Sequence, residues 1–340
     1  MPPCPSADLI ALDIGGANIK VADGLGWTRS VPFAMWRDWR RLPATLADVL
    51  TPTPSRVVAT MTGEIADCFS SRRDGVEHIV AALTAAAGAA NVGIYTTDGH
   101  LVSPEAAVGD PQAVAASNWH AVARLAASLA PTPHTFLVDI GSTTVDIIPI
   151  DDGRPAPLAT DDVGRMASGE LVYTGIERTP VPTLVRCLPH RGRRRPVASE
   201  LFARSQDAWL ILEALPEDPA CVDTADGEPA TREAARRRLA RTMLLEPDTF
   251  TADDARKAAE RIATVQARRI THAVKKVAGG IGWQPTGIVL SGHGRPLIER
   301  MLATFPHPVI TLALQDCFSL ALARIAPAHA LALIARGTLP

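Results

Sequence analysis

A pattern of twelve residues occurs twice in this chain. Residues 10–21, Ile-Ala-Leu-Asp-Ile-Gly-Gly-Ala-Asn-Ile-Lys-Val, return in altered form at residues 136–147, Phe-Leu-Val-Asp-Ile-Gly-Ser-Thr-Thr-Val-Asp-Ile. Each copy has an apolar strand, then Asp-Ile-Gly, then small and polar residues, then a second β-branched run, which predicts a tight hairpin with an aspartate at its mouth. We therefore expect two related halves whose hairpins face each other across a cleft.

The turns of both hairpins have the composition of anion-binding loops. Glycine lets backbone N–H groups approach a bound phosphate, and hydroxyl side chains add donors. A lysine on the strand that leaves the first turn can neutralise a phosphate oxygen, although an exposed strand lysine is the alternative. The predicted phosphate contacts are Gly15, Gly16, Asn18, Lys20, Gly141, Ser142, Thr143 and Thr144.

The two hairpin aspartates are the predicted catalytic and metal-binding carboxylates. Asp13 and Asp139 would hold Mg²⁺ or its water shell, because this ion prefers one or two carboxylates together with phosphate oxygens. Asp146 occupies in the second copy the position that Lys20 has in the first, and it is a third candidate ligand. An aspartate that caps its own turn is the alternative for either copy alone, but two copies in phase favour the functional interpretation.

The composition indicates a protein that handles small molecules. At 340 residues the chain is long enough for two domains with separate cores. Its 34 basic and 36 acidic residues nearly balance, which provides no broad field for nucleic acid or a membrane surface. We expect neither as a partner, and the oligomeric state stays open.

The cysteine pattern and the N-terminal residues indicate the cellular compartment of the protein. No Cys-x-x-Cys pair occurs, which favours reduced thiols over a zinc site. The N-terminal residues have no basic region followed by an apolar stretch, and no run reaches eighteen uncharged apolar residues. A cytoplasmic location is expected. The five cysteines are Cys4, Cys68, Cys187, Cys221 and Cys317.

Strand and helix patterns alternate along the chain, which predicts an α/β fold. Pro131 and Pro133 deny regular structure to a linker, so the predicted domains are 1–130 and 131–340. A last helix, about 316–337, is expected to pack back on the first domain. Strands are predicted at 56–60, 93–95 and 287–291, and helices at 75–90, 111–129, 251–278 and 296–303.

Residues of about 178–250 fit this alternation poorly and are interpreted as an insertion in the second domain. Helices are predicted near 199–215 and 231–244. The basic run that starts at Arg191 could bind an anionic substrate, but a solvated loop accounts for it better.

Glu64 is the candidate general base. The segment Met61-Thr-Gly-Glu follows a predicted strand at its C-terminal end, where the ligand crevices of α/β proteins open. A carboxylate in such a cleft is desolvated, which raises its pKa toward neutrality. The alternative is a glutamate at a helix N-terminus that interacts with the helix dipole.

A glycine-containing turn near the C-terminus is the candidate nucleotide or substrate site. Ser291-Gly-His-Gly-Arg-Pro joins a predicted strand to a helix whose N-terminus adds positive potential. The candidate contacts there are Gly292, His293, Gly294 and Arg295, with a solvated turn histidine as the alternative for His293. Asp162 and Asp226 are further candidates that could equally be turn formers.

Together these motifs resemble the superfamily of actin-like ATPases and sugar kinases, whose members fold as two ribonuclease-H-like domains around a central cleft. Within it the chain resembles the hydantoinase/oxoprolinase-like group, and more narrowly a family of methanofuran-biosynthesis synthases known in methylotrophic bacteria as tetrahydromethanopterin-linked one-carbon-transfer proteins. The narrower resemblance rests on residues 12–20, 61–69, 169–181 and 223–227.

The resemblance implies a transferase. Its reaction would join an aminomethyl-furan-methyl diphosphate to the phenol of a glutamyl-tyramine or tyrosine-type acceptor and release diphosphate. The first motif lacks the Thr or Ser that many kinases of the superfamily carry after the glycines, which argues against ATP hydrolysis. The alternatives are an ATP-dependent kinase or hydantoinase-type hydrolase of the same fold, and a non-catalytic nucleotide-binding protein.

Overall fold

The computed structural model describes residues 8–305 and 308–339. Cys4 and the N-terminal segment on which the signal-sequence expectation rests lie outside the described residues. Within the described part, no helix is both long and apolar enough to cross a membrane.

The first half is built on a six-stranded sheet, counted over the described residues, with the strand order β3-β2-β1-β4-β5-β6. The first three strands are antiparallel neighbours, whereas β1, β4 and β5 run parallel. The strands are β1 (Leu9–Ile14), β2 (Asn18–Ala22), β3 (Thr28–Pro32), β4 (Arg56–Met61), β5 (Asn91–Tyr95) and β6 (Leu101–Val102).

The second half repeats this arrangement. Its sheet has the order β10-β8-β7-β13-β14, with β9 paired to β8, and again the first hairpin is antiparallel while β7, β13 and β14 are parallel. The α/β fold with two ribonuclease-H-like sheets is thus confirmed. The strands of this sheet are β7 (His134–Ile140), β8 (Val145–Asp151), β9 (Arg154–Pro155), β10 (Leu171–Val172), β13 (Gly287–Gly292) and β14 (Ile310–Ala313), and a separate two-stranded sheet consists of β11 (Cys187–His190) and β12 (Arg193–Pro196).

Helices cover both sheets. The longest has a Thr251 capping box at its start and the left-handed Gly282 at its end. Those of the first half are α1 (Met35–Asp38), α2 (Leu42–Val49), α3 (Arg72–Ala87), α4 (Pro104–Gly109), α5 (Pro111–Val114) and α6 (Asn118–Ser128). They are followed by α7 (Asp162–Ser168), α8 (Val181–Leu184), α9 (Ser205–Ile211), α10 (Arg232–Thr242), α11 (Ala252–Ile281), α12 (Arg295–Leu302), α13 (Leu314–Cys317), α14 (Leu320–Arg324) and α15 (Ala326–Ala335), and by 3₁₀ helices at Trp39–Arg41 and Pro247–Thr249.

Two helices cross between the halves. The last helix, α15, packs on β1, β2 and β4 of the first sheet, as well as on α6. In turn α6 packs on β7, β8 and β9 of the second sheet, a contact that the sequence analysis did not predict. The apolar faces of both helices share one core with residues of both sheets, from Leu9 and Val58 to Leu137 and Ile148. Burial of this shared core holds the halves together.

Two predicted helices are broken in the structure. The segment 111–129 divides into α5 and α6, because Ala115 bridges to Met61 and Ser117 donates its hydroxyl to the carbonyl of Tyr95 at 2.9 Å. The segment 316–337 divides into α13, α14 and α15, since Phe318 is extended and Ser319 caps a new helix.

The predicted insertion is an ordered layer packed on α11. The basic run is exposed, as expected for a solvated segment, but it forms the turn and second strand of the hairpin β11–β12, with Arg191 and Gly192 in its left-handed turn. The helix predicted near 199–215 is shorter, α9, and its Trp209 and Leu210 are buried.

Candidate functional site

The first hairpin places a carboxylate and a lysine side by side. Asp13 on β1 and Lys20 on β2 are cross-strand partners, with Nζ of Lys20 3.3 Å from Oδ2 of Asp13. Asp13 is buried, and its Oδ1 has no hydrogen-bond partner among the described residues. A Cβ on Gly16 would meet nothing within 4 Å, so the open space above this turn is available to a ligand.

The second hairpin has the same register but different charges. Asp139 on β7 faces Asp146 on β8, and Nη2 of Arg165 lies 2.6 Å from Oδ1 of Asp146. Burial, together with the charge of the neighbouring Asp146, raises the pKa of Asp139 to about 6. Arg165 is itself buried and stacks over Trp119 of α6 at 4.2 Å. The predicted metal ligand Asp146 therefore has a cation of the chain as its partner.

The charges of the two hairpins act on each other. The positive charge of Lys20 in the first hairpin opposes the rise in pKa that burial causes at Asp139 and Asp146 of the second. Through Lys20, the aspartate of the first hairpin and the two of the second are therefore coupled electrostatically.

Glu64 lies in the turn region after β4, with Arg72 as a neighbouring cation. It is fully buried, and neither carboxylate oxygen has a hydrogen-bond partner within the described ranges. Burial raises its pKa from 4.5 to about 7, while the charge of Arg72 opposes the rise. The Nε of Arg72 lies 3.7 Å from Oε1 of Glu64. Helix α3 begins eight positions later with its own Ser71 cap, so Glu64 is not a residue of a helical first turn.

The other predicted carboxylates have structural partners. Asp162, in the first turn of α7, pairs with Arg72 across the cleft. Asp226 accepts from Arg238 at 3.0 Å and from Arg241 at 2.9 Å, within the insertion. These contacts supply a stabilising role for Asp226.

A segment after β10 supports the second hairpin. The backbone N–H groups of Glu177 and Arg178 donate to the carbonyl of Ser142 at 3.1 and 2.9 Å. A Cβ on Gly175 would meet the Ser142 carbonyl carbon at 2.4 Å, so only glycine fits. Gln266 of the buried α11 face donates to the Gly175 carbonyl at 2.7 Å. The segment after β10 and α11 thereby hold the turn of the second hairpin in place, which the sequence analysis missed.

The glycine turn after β13 is packed against the second hairpin. Gly292 has a φ of +83°, and a Cβ there would lie 2.1 Å from the carbonyl oxygen of Ile140. The N–H groups of His293 and Gly294 donate to that same oxygen. His293 Nε2 lies 3.3 Å from Oε1 of Glu177, and this contact holds the pKa of that carboxyl below its usual range. The glycines therefore have a packing role.

A cavity of about 230 Å³ opens beside this turn. Arg295 lies on its wall and pairs with Glu299 one helical turn later, at 3.0 Å. The cavity is lined by Leu290, Ser291, Gly292, Arg295, Ile298, Glu299, Leu302, Thr311, Ala313, Gln315, Asp316 and Ala323.

Sequence reasoning missed the cationic side chains of this region. Arg72, Arg165 and Arg178 each contact a carboxylate or turn named above, yet none lies in a repeated motif. Arg178 does belong to the 169–181 segment that carries the family resemblance, and this membership could have identified it as a candidate site residue. No group of three or more His, Cys, Asp or Glu side chains within residues 8–305 and 308–339 is arranged to hold a metal ion by itself.

Comparison with known proteins agrees with this architecture. The family model described as Hydantoinase/oxoprolinase matches residues 56–297. A (γ-glutamylaminoethyl-phenoxymethyl-furanyl)methanamine synthase of Methanocaldococcus jannaschii is 30% identical over 297 residues, which are 86% of this chain and 88% of that protein. The synthase of the same name from Methanococcus vannielii is 34% identical over 167 residues, 49% of this chain and 74% of that protein.

Among solved structures, a chain of a PilM-PilN type IV pilus biogenesis complex is similar with a TM-score of 0.51 and 13% identity, covering 99% of this chain and 100% of that one. At this identity the likeness concerns the fold alone. The family match and the archaeal synthases carry the assignment: this chain is an enzyme, and it belongs to the hydantoinase/oxoprolinase family.

Proposed function

We propose that this protein is a transferase of methanofuran biosynthesis that joins an aminomethyl-furan-methyl diphosphate to the phenol of a glutamyl-tyramine or tyrosine-type acceptor. The name of the archaeal relatives describes a phenoxymethyl furan, which is the aryl ether that such a reaction forms. The observation that carries the proposal is the pair of matching hairpins: Lys20 lies 3.3 Å from Asp13 and acts electrostatically on Asp139 and Asp146, and the buried Glu64 follows the strand next to the first hairpin.

In the proposed reaction, the acceptor's phenolic oxygen attacks the methylene carbon of the furan ester. The new C–O bond forms as the bond from that carbon to the diphosphate oxygen breaks, and diphosphate leaves with the electron pair. The phenolic proton goes to Glu64, because a phenol with a pKa of about 10 is a weak nucleophile at neutral pH until it is deprotonated. A carboxylate with a pKa of about 7 suits this task.

The hairpins would stabilise the leaving group. Lys20 and the backbone N–H groups of Gly16 and Ser142 would bind the charge that develops on diphosphate, whereas the N–H of Gly141 donates to the Thr144 carbonyl within the turn. Asp13, with its unpartnered Oδ1, and Asp139 would hold a Mg²⁺ ion. When bound, the ion would neutralise part of the diphosphate charge. Asp146 is left out of this proposal since Arg165 already pairs with it.

A second candidate is an ATP-dependent reaction in the same cleft. The cavity beside Gly292 and Arg295, at the carboxyl end of β13, is the observation that favours a nucleotide there. The missing hydroxyl residue in the first hairpin argues against ATP hydrolysis.

The test is ether formation with purified protein, furan diphosphate ester, phenolic acceptor and Mg²⁺, with ATP present or absent. We expect product and stoichiometric diphosphate without ATP, and competitive inhibition by inorganic diphosphate against the furan ester. A strict ATP requirement, with ADP or AMP formed in step with product, would support the second candidate instead. Thermal stabilisation by Mg-diphosphate compared with Mg-ATP gives an independent measure, because a bound ligand raises stability by RT ln(1 + [L]/Kd).

A further inference from the structure

An exposed tryptophan and a partly exposed arginine meet at the mouth of the cleft. Trp36 lies on α1, which is tied to the first hairpin because Met35 N–H donates to the Gly16 carbonyl at 2.9 Å. Arg178 is tied to the second hairpin by the hydrogen bond from its N–H to the Ser142 carbonyl. The Arg178 guanidinium carbon lies 5.8 Å from the centre of the Trp36 ring. Each residue therefore extends from one phosphate turn toward the other.

Both side chains remain accessible to a ligand. Trp36 remains 48% exposed, although large aromatic side chains are usually buried. The 5.8 Å separation is near the outer limit of about 6 Å for a cation–π contact, so the indole face is only weakly engaged. Arg178 keeps 28% of its side chain exposed and is oriented by Asp223, whose Oδ2 lies 2.8 Å from Nη2.

We propose that Trp36 and Arg178 form the subsite for the furan diphosphate: the indole stacks on the furan ring, and the guanidinium binds the diphosphate. This inference rests on the proposed function. The substrate would present a flat ring one carbon away from an anion, and the site presents a flat ring beside a cation. Guanidinium groups bind phosphate oxygens in a bidentate manner, and aromatic rings prefer offset stacking.

Asp223 has a defined part in this subsite. It pairs with Arg178 through Oδ2 and with Arg204 through Oδ1, at 2.8 and 3.0 Å. In the proposed subsite it is a positioning residue, since it orients Arg178. Because Arg204 still pairs with Asp223 when Arg178 is replaced, an Arg178 variant leaves no unpaired carboxylate and is expected to fold.

The experiment measures separately how the two side chains bind the diphosphate and the furan ring. Binding of inorganic diphosphate with Mg²⁺ is measured by calorimetry, and KM for the furan ester is measured by product formation. Arg178→Met should weaken diphosphate binding at least about 10-fold, since a hydrogen bond to a charged group is lost. Trp36→Ala should leave diphosphate binding within about 2-fold and raise KM for the furan ester about 3- to 10-fold, in line with the loss of one aromatic stack. Trp36→Phe should restore most of that KM.

Arg37→Ala is the matched control, because Arg37 lies on the same helix, is exposed and pairs with the adjacent Asp38. It should change neither quantity. Diphosphate binding that is equal in wild type and Arg178→Met, or a KM unaffected by Trp36→Ala, would overturn the subsite and leave the proposed reaction standing. If wild type binds diphosphate but forms no ether, and Arg178→Met weakens that binding, the proposed reaction is wrong and the contact between Arg178 and diphosphate is supported. A wild type that binds no diphosphate contradicts both.

Discussion

Arg72 and Asp162 form an ion pair across the cleft, with Nη2 of Arg72 2.8 Å from Oδ2 of Asp162. Arg72 begins α3 in the first half, and Asp162 begins α7 in the second. The same guanidinium lies beside Glu64, so two opposite charges act on this carboxyl group: Arg72 lowers its pKa and Asp162 raises it. The contact between the halves is therefore coupled to the protonation of the proposed base.

The first prediction follows from these opposite effects. Removing the cation in Arg72→Met should raise the pKa of Glu64 above its value of about 7, and removing the anion in Asp162→Asn should lower it. If Glu64 is the base, the rising limb of the pH–kcat profile should move to higher pH in the first variant and to lower pH in the second, by about 1 unit each. Arg72→Lys keeps the charge and is the control. Shifts in the same direction would contradict this coupling.

The second prediction concerns Glu64 in catalysis. A general base acts only when it is deprotonated, so the wild-type rate should rise as pH passes through about 7. Glu64→Gln keeps the shape and removes the base, which should lower kcat about 10²- to 10⁴-fold at neutral pH. The loss should shrink as pH nears the phenol's pKa of about 10, where the acceptor ionises by itself. A small loss that is uniform across pH would leave Glu64 with a structural role only.

The third prediction concerns stability. Because burial raises the pKa of Glu64 in the folded protein, the folded state binds more protons than the unfolded state between pH 4.5 and about 7. The free energy of unfolding should therefore fall as pH rises through this window, by up to about 3 kcal/mol from this group. Glu64→Gln should remove that part of the pH dependence. Denaturant unfolding of wild type and Glu64→Gln at pH 4.5 and pH 8 measures this difference. If the free energy of unfolding changes equally with pH in both proteins, the raised pKa is disproved.

The fourth prediction concerns the hairpin aspartates. Asp13→Asn and Asp139→Asn should each lower kcat by at least about 10²-fold with the fold intact, because these carboxylates are proposed to act on the metal and diphosphate. Lys20→Ala should mainly weaken diphosphate binding. Asp48→Asn is a control, since Asp48 is exposed and pairs with Arg29 on the surface. Near-wild-type turnover in both hairpin variants would falsify the two-hairpin site.

The fifth prediction concerns the ion pair between the buried Arg165 and the partly buried Asp146. Arg165→Met would leave the partly buried Asp146 without this cation, which should cost about 2–3 kcal/mol of unfolding free energy, less than for a fully buried pair. Adding Asp146→Asn removes the unpaired charge and should restore most of this loss. The double-mutant cycle, measured by denaturant unfolding, gives the coupling between the two residues. A double variant no more stable than Arg165→Met would show that the ion pair is not the cause.

Much of the hairpin geometry could be predicted because it is local. In a tight hairpin the register follows from the turn, so Asp13 must face Lys20, and Asp139 must face Asp146. Strands β4, β5 and β13 and the cap of α11 at Thr251 were likewise readable from residue patterns. The helix over 111–129 failed because Ser117 bonds to a distant strand, a contact that periodicity does not contain.

By itself, the sequence determined that the chain has two hairpins of one kind, with acidic and glycine residues at equivalent positions, because strand alternation and turn chemistry act over a few residues. Only the tertiary structure decided which charges meet. Arg165 of α7 reaches Asp146 of β8. Arg72 reaches both Glu64 and Asp162 because α3 and α7 begin at the same cleft. Helices α6 and α15 cross between the sheets because a shared apolar core is buried there. Such contacts depend on packing between remote segments, and burial then sets the pKa of Glu64.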